Sequence, residues 1–149
     1  MSRFQLALDV EDLEAAIGFY ERLLGQPPSK RRPGYANFAV ANPPLKLVLI
    51  ENPGHGGRIN HLGVEVESSA EVESESARLA DTGLVPLPEM QTTCCYALQD
   101  KVWVHDPDGL PWEVYTVLAD APVGPHGVPA ARPAGGGCAP GSSSTCCPG

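Results

Sequence analysis

Two cysteines stand side by side at Cys94 and Cys95, in the segment EMQTTCCYALQDK. On a regular strand neighbouring side chains point to opposite faces, so such a pair could not share a ligand; in a loop after Pro86 and Pro88 the two thiols can converge. A disulfide between adjacent cysteines closes a strained eight-membered ring, whereas a large soft atom between the sulfurs relieves it. Two thiolates match the valence of a monosubstituted trivalent arsenical, R–As(OH)2, which exchanges both hydroxyls for sulfur and is uncharged near neutral pH. The alternative is that the pair fills the core, since buried cysteine often behaves as a small apolar side chain. Three further thiols, Cys138, Cys146 and Cys147, lie near the C-terminus.

The elements that must position these groups alternate. Phe4–Val10 is a short apolar run, read as a buried strand. Leu13, Ala16, Ile17, Tyr20 and Leu24 recur at helical spacing, with Asp9 or Asp12 as the cap and Gly25 as the stop. Tyr35–Val40 and Leu45–Ile50 read as strands between Pro/Gly/Asn punctuation. The pattern then restarts: His61–Val66 alternates like a strand, Ser69 opens a helix carrying Val72 and Leu79 and closed by Gly83, and strand-like pieces follow at Leu84–Pro86, Val102–His105 and Trp112–Leu118. Two βαβββ modules, at about 3–51 and 59–118, are the expected organisation. The acidic cluster Glu65, Glu67, Glu71, Glu73 and Glu75 reads as a solvated face.

Composition narrows the function classes. The 149 residues carry a net charge of -8, which argues against nucleic acid, whose binding relies on Lys and Arg neutralising phosphates. No segment approaches the roughly 18 apolar residues of a membrane span, and the start MSRFQLALDVEDLE lacks the pattern of a secretory signal. An odd cysteine count fits a reducing cytoplasm better than a disulfide framework. All 18 carboxylates lie in residues 1–120, while residues 121–149 hold seven Gly and six Pro and only one charged side chain, Arg132. The expectation is one domain over 1–120 and a disordered Gly/Pro/Cys-rich tail over 121–149.

Three stretches resemble a known superfamily. FQLALDVEDLEAAIGFYERLLG is similar to the opening strand and helix of vicinal oxygen chelate proteins, the glyoxalase/bleomycin-resistance/extradiol dioxygenase group; NHLGVEV resembles the start of their second module, and HDPDGLPWEVY their DPDG turn and the carboxylate-bearing strand after it. The likeness spans residues 3–118 and implies an α+β fold, a curved mixed-sheet cup built from the two modules around one divalent metal. It also implies the ligands: Gln5 from the first strand of module one, His61 from the first strand of module two, and Glu113 from the last strand of module two. At the matching place in the last strand of module one stand only Lys46 and Leu47, neither a donor a metal would choose.

A neutral amide, a neutral imidazole and one carboxylate match the charge of a two-His-one-carboxylate triad, which leaves positions open on Fe(II) for substrate and oxygen. Gln5 departs from the histidine usual in extradiol enzymes, and its other reading is a hydrogen bond inside the cup. His105 beside the DPDG turn reads as structural, His55 and His126 as loop residues, and Tyr96 and Lys101 are near enough to the cysteines to be considered as acid or base.

Within this superfamily a Cys-Cys segment with a cysteine-bearing tail resembles the carbon–arsenic lyases, non-haem Fe(II) dioxygenases that demethylate trivalent organoarsenicals and are related to cadmium-induced resistance proteins. The resemblance implies that Cys94 and Cys95 bind the arsenical, methyl or aromatic, that Fe(II) with O2 as co-substrate cleaves the C–As bond, and that inorganic As(III) is released. Two other classes keep part of the pattern. A non-catalytic thiol-based metal or metalloid resistance protein needs the cysteines but not Gln5, His61 and Glu113. Another metal-dependent enzyme of the superfamily (isomerase, thiol transferase or catechol dioxygenase) needs the metal site but not the cysteines. The tail thiols are either a capture device for arsenicals or incidental.

Overall fold

The computed structural model describes residues 2–125. The element order is β1 (Arg3–Val10), α1 (Leu13–Leu24), β2 (Lys30–Arg32), β3 (Tyr35–Val40), β4 (Leu45–Glu51), then β5 (Arg58–Glu65), α2 (Ser69–Asp81), β6 (Leu87–Cys94), β7 (Ala97–His105) and β8 (Pro111–Asp120). This is βαβββ twice, as the sequence repeat predicts. The eight strands form one curled mixed sheet in the order β2-β3-β4-β1-β5-β8-β7-β6. Each module pairs its first and last strands in parallel (β1 with β4, β5 with β8), and the modules join where β1 runs antiparallel to β5.

Period-two alternation assigns the faces. Leu47 and Leu49 of β4 and Ala36 and Phe38 of β3 pack outward against Leu13 and Ile17 of α1, while Gln5, Ala7, Tyr35, Asn37, Lys46 and Val48 turn into the cup. Asp12, not Asp9, caps α1, accepting from the Ala15 N–H, and Gly25 ends it at a φ of 69°. Asp9 instead accepts from Asn60 Nδ2. Helix α2 begins with a capping box between Ser68 and Glu71. Neither helix is long and apolar enough to cross a membrane.

Three expectations about the second module change. Leu84–Pro86 is unpaired, and the strand starts at Leu87. β6 is the outermost strand, where the missing N–H of Pro88 can face away from the ladder. The cysteines do not lie in an open loop: Cys94 ends β6, and Cys95 with Tyr96 forms the two-residue turn into β7, where Cys94 pairs with Ala97. β7 starts at Ala97 rather than Val102, because Gln99 and Lys101 extend the strand with polar side chains that are nonetheless buried. The polar β2, Lys30–Arg32, carries no hydrophobic pattern and has no counterpart in the sequence reading.

The chain past Asp120 stays bound for several residues. Ala121 N–H donates to Tyr96 O, while the Cys95 and Tyr96 N–H groups donate to Gly124 O and Val123 O. Residues 126–149, and with them His126, Cys138, Cys146 and Cys147, lie outside the described residues.

Candidate functional site

Gln5, His61 and Glu113 meet at the seam between the modules. All three are at least 95% buried: exposures are 5%, 5% and 3%. Gln5 Nε2 stands 3.1 Å from His61 Nε2 and 2.6 Å from Glu113 Oε1, and His61 Nε2 lies 3.2 Å from Glu113 Oε1. A divalent ion with ligand bonds of about 2.1 Å places neighbouring donors about 3 Å apart, so the three tips have the mutual spacing of a coordination shell.

The local sequence explains the convergence. Gln5 and Gly63 are cross-strand partners, and Gly63 is in turn partnered with Glu113. A Cβ at Gly63 would lie 2.9 Å from Glu113 Cγ and 3.0 Å from Glu113 O, so only glycine leaves room for that carboxylate.

Supporting groups orient each tip. Asn60 donates its Nδ2 to Asp9, which turns its Oδ1 toward His61 Nδ1 at 2.7 Å. An amide oxygen can only accept, so the imidazole proton sits on Nδ1 and Nε2 presents a lone pair to the centre. The Trp103 ring packs edge-on against the imidazole at 5.3 Å. Lys101, only 2% exposed, donates to Glu113 Oε2 at 2.9 Å and leaves Oε1 toward the centre. Burial alone would raise the Glu113 carboxyl, but the Lys101 ammonium beside it leads the opposing influences, and the pKa is held at about 2. Burial likewise opposes the charge on Lys101, and the Glu113 carboxylate overcomes it, so the net shift is upward.

The Gln5 amide tests whether a cation fits. Its NH2 faces the two acceptors, while its Oε1 accepts from Tyr115 Oη at 2.5 Å. Turned over, the amide would aim its oxygen at the centre and its NH2 at the tyrosine hydroxyl, which can accept as well as donate. Three lone-pair donors (amide oxygen, imidazole nitrogen and carboxylate oxygen) would then converge on one point, an arrangement that requires a positive ion. The donor set fits a divalent metal.

The fourth corner is closed. If Gln5 and His61 correspond in the two modules, Ala7 corresponds to Gly63. Ala7 pairs with Val48 as Gly63 pairs with Glu113. The register thus puts Val48, rather than Lys46 or Leu47, at the position of module one that matches Glu113. Val48 is buried against Ala7 and Tyr35, and Leu47 points out to α1. Lys46 lines the cavity nearby, its ammonium 5.1 Å over the Tyr115 ring and 3.9 Å from Glu65. Burial lowers the Lys46 pKa against the pull of Glu65. Glu65 therefore leaves the acidic face to which the sequence reading assigned it. It bonds Arg3 at 2.7 Å and lines the cavity, while Glu67, Glu71 and Glu73 are exposed.

A cavity of about 240 Å³ runs from this centre to Cys95, lined among others by Gln5, His61, Glu113, Cys95, Gln99 and Val48. Cys94 Sγ and Cys95 Sγ lie 3.1 Å apart, beyond the roughly 2.05 Å of a disulfide. The turn makes this possible. Cys95 and Tyr96 both have positive φ, 55° and 60°, as tight hairpin turns require and as non-glycine residues resist by about 1–3 kcal/mol each. That strain is held in place from several sides: Tyr96 Oη donates to Pro33 O at 2.9 Å, its ring packs on Tyr35, and Lys30 Nζ reaches Tyr96 O at 3.3 Å. The hydrogen bond to Cys94 and burial push the Cys95 thiol pKa well above its ordinary value, so Cys95 rests as the thiol.

The structure thus brings Gln5, His61, Glu113 and Cys95 to one cavity, with Cys94 in contact with Cys95. It places Lys101, considered from the sequence only as an acid or base, against Glu113, and it adds Tyr115 and Gln99, which the sequence reading missed. Their signal was two-residue spacing, Gln99-Lys101-Trp103 on β7 and Glu113-Tyr115 on β8, hidden because polar residues fill the inward positions. Tyr96 acts as a latch for the turn, and His105, at the far end of β7, stays out of the cavity.

Comparison with known proteins agrees with this architecture. The chain is 68% identical over 121 residues to a cadmium-induced protein, CadI, of Mycobacterium tuberculosis (81% of this chain, 80% of that one). It is 62% identical over 122 residues to a trivalent organoarsenical cleaving enzyme of Thermomonospora curvata (81% of each chain). Its fold resembles the crystal structure of homoprotocatechuate 2,3-dioxygenase from Arthrobacter globiformis, with a TM-score of 0.57 at 22% identity over 78% of this chain and 36% of that one. Residues 4–114 match the glyoxalase/bleomycin resistance protein/dioxygenase superfamily, and with the paired modules and seam-centred cavity described above, the chain belongs to that superfamily.

Proposed function

We propose that this chain cleaves the carbon–arsenic bond of trivalent organoarsenicals, using Fe(II) and O2, and releases inorganic As(III). The observation that carries the reading is a pair of thiols 3.1 Å apart, one of which, Cys95, lines the same cavity as the three-donor centre. A relative 62% identical bears the name of that activity.

Each residue has a task. Cys94 and Cys95 exchange their thiol protons for arsenic, expelling two waters, and fix the metalloid so that its organic substituent lies in the cavity. Holding the substrate covalently makes the later step effectively intramolecular. Gln5, His61 and Glu113 would hold Fe(II), which supplies activation of O2 for attack on the C–As bond. Asn60 keeps the His61 tautomer, and Lys101 keeps Glu113 ionised and directs Oε1 to the centre. Val48, Tyr35 and Trp103 wall the site against water. From a methyl substituent the carbon leaves as formaldehyde. The reducing cytoplasm, where thiols stay free of disulfides, is the compartment this chemistry needs.

The test is anaerobic loading with Fe(II), addition of methylarsonous acid, and admission of O2 with inorganic As(III) followed by chromatography. Release that depends on both iron and oxygen is expected. Arsenical retained on the protein with its methyl group intact would overturn the reading in favour of thiol binding without catalysis. Cys94→Ser should weaken arsenical binding and spare iron, and His61→Ala should do the reverse.

A further inference from the structure

Gln99 sits on β7 inside the cavity and is 4% exposed. Its Nε2 donates to the backbone oxygen of Cys94 at 2.9 Å, which ties its amide to the thiol turn. A backbone oxygen can only accept, so the NH2 must face it and the amide cannot be turned over. Its Oε1 is therefore fixed as the free end. Among the described residues, it is the one buried side-chain polar atom without a hydrogen-bond partner. Buried carbonyls are almost always satisfied, and an orphan beside a reactive pair calls for a ligand that brings a donor.

The thiol chemistry shows which arsenical has one. An organoarsenical R–As(OH)2 reacting with two thiols becomes R–As(S)2 with loss of two waters, and no O–H remains. Inorganic As(OH)3 reacting with the same pair also loses two waters but keeps one hydroxyl, as HO–As(S)2. The proposed cleavage leaves the same species. CH3–As(S)2 and O2 give formaldehyde and HO–As(S)2, with one oxygen atom and two methyl hydrogens in formaldehyde and the other oxygen and third hydrogen on arsenic. The methyl carbon loses four electrons, O2 gains four, and arsenic stays trivalent.

We propose that Gln99 Oε1 accepts the hydrogen bond of this As–OH group, so that the cavity recognises inorganic arsenite held on Cys94 and Cys95 and distinguishes it from the organic arsenical. The inference rests on the thiol reading above. Gln99 makes no polar contact with the bound substrate and engages only the hydroxylated arsenic. The site is consequently subject to retention by its own inorganic product.

The test uses the full chain, metal-free, with Cys138→Ser, Cys146→Ser and Cys147→Ser so that only the turn thiols report. Binding of sodium arsenite and of phenylarsine oxide is measured by calorimetry for this protein and for its Gln99→Met variant. Arsenite affinity should fall about fivefold or more, the loss of one hydrogen bond, while phenylarsine oxide affinity should stay within about twofold. An equal fall for both ligands would show that Gln99 only braces the turn through Cys94 and would overturn the proposal, as would no change for either.

Should Gln99→Met not fold, the side-chain carbonyl 13C resonance of Gln99 in the unsubstituted position gives the answer. It should shift on addition of arsenite and not of phenylarsine oxide, and equal or absent shifts overturn the proposal. Failure of phenylarsine oxide to bind at all, or binding that survives Cys94→Ser, would instead sink the thiol reading, and this inference with it.

Discussion

The two modules share a topology and divide the labour unequally. Module two contributes His61, Glu113, Lys101, Gln99 and both thiols, while module one contributes Gln5 and otherwise walls and latches. At matched positions the contrast is sharp: Ala7 stands for Gly63 and Val48 for Glu113. The second hairpin is also longer, with strands of 8 and 9 residues against 3 and 6 in the first. Its tip therefore reaches across to Pro33 and Lys30 of module one. Repetition supplied two equivalent halves of one sheet; small differences at inward positions then made one half reactive and the other a frame.

The largest test of that asymmetry is Val48→Glu, which would make module one chemically like module two. A new carboxylate at this buried position should cost the metal-free protein about 3 kcal/mol or more by denaturant unfolding. Divalent metal should recover more of that loss than it adds to the unsubstituted protein. Equal metal stabilisation of both would contradict the equivalence of positions 48 and 113.

Acid should act next, and through module two. Glu113 has a folded pKa of about 2 against an ordinary value of 4.5, so its contribution is fully present above pH 4.5 and is lost as the pH falls toward 2. For the metal-free protein the loss is on the order of 3 kcal/mol. Glu113→Gln should flatten that limb of the stability profile, and an unflattened profile would place the acid sensitivity elsewhere.

Gly63→Ala should follow, costing about 1–3 kcal/mol because the new methyl meets Glu113. The reciprocal Ala7→Gly in module one should cost no more than about 1 kcal/mol. Similar penalties would mean that the carboxylate is less tightly seated than its contacts indicate. The smallest effect belongs to the latch: Tyr96→Phe removes the bond to Pro33 and should lower stability by about 0.5–1.5 kcal/mol. It should also speed alkylation of Cys95.

Much of this asymmetry was legible in the residues themselves. Both helices, their glycine or serine boundary signals and the repeat follow from apolar periodicity, and Gln5, His61 and Glu113 fall on the strands expected of them. What stayed hidden was polar. β2 and β6 are outer strands with little to bury, and β7 fills its inward positions with Gln99 and Lys101, so a hydrophobic pattern stops where the cavity begins. The convergence of the thiols depends on two positive φ angles at Cys95 and Tyr96, residues whose types announce no such turn. The identity of Val48 as the counterpart of Glu113 required a strand register, which is a property of pairing and not of either strand alone.

The seam itself has a thermodynamic consequence. Gln5 belongs to one module and His61 and Glu113 to the other, so an ion held by all three exists only while β1 and β5 remain paired. Occupancy then acts as a reversible cross-link between the halves. At free metal a hundredfold above its dissociation constant, mass action adds about 2.7 kcal/mol to the folded state. That increment would be felt by both modules at once, merging their unfolding into a single cooperative step.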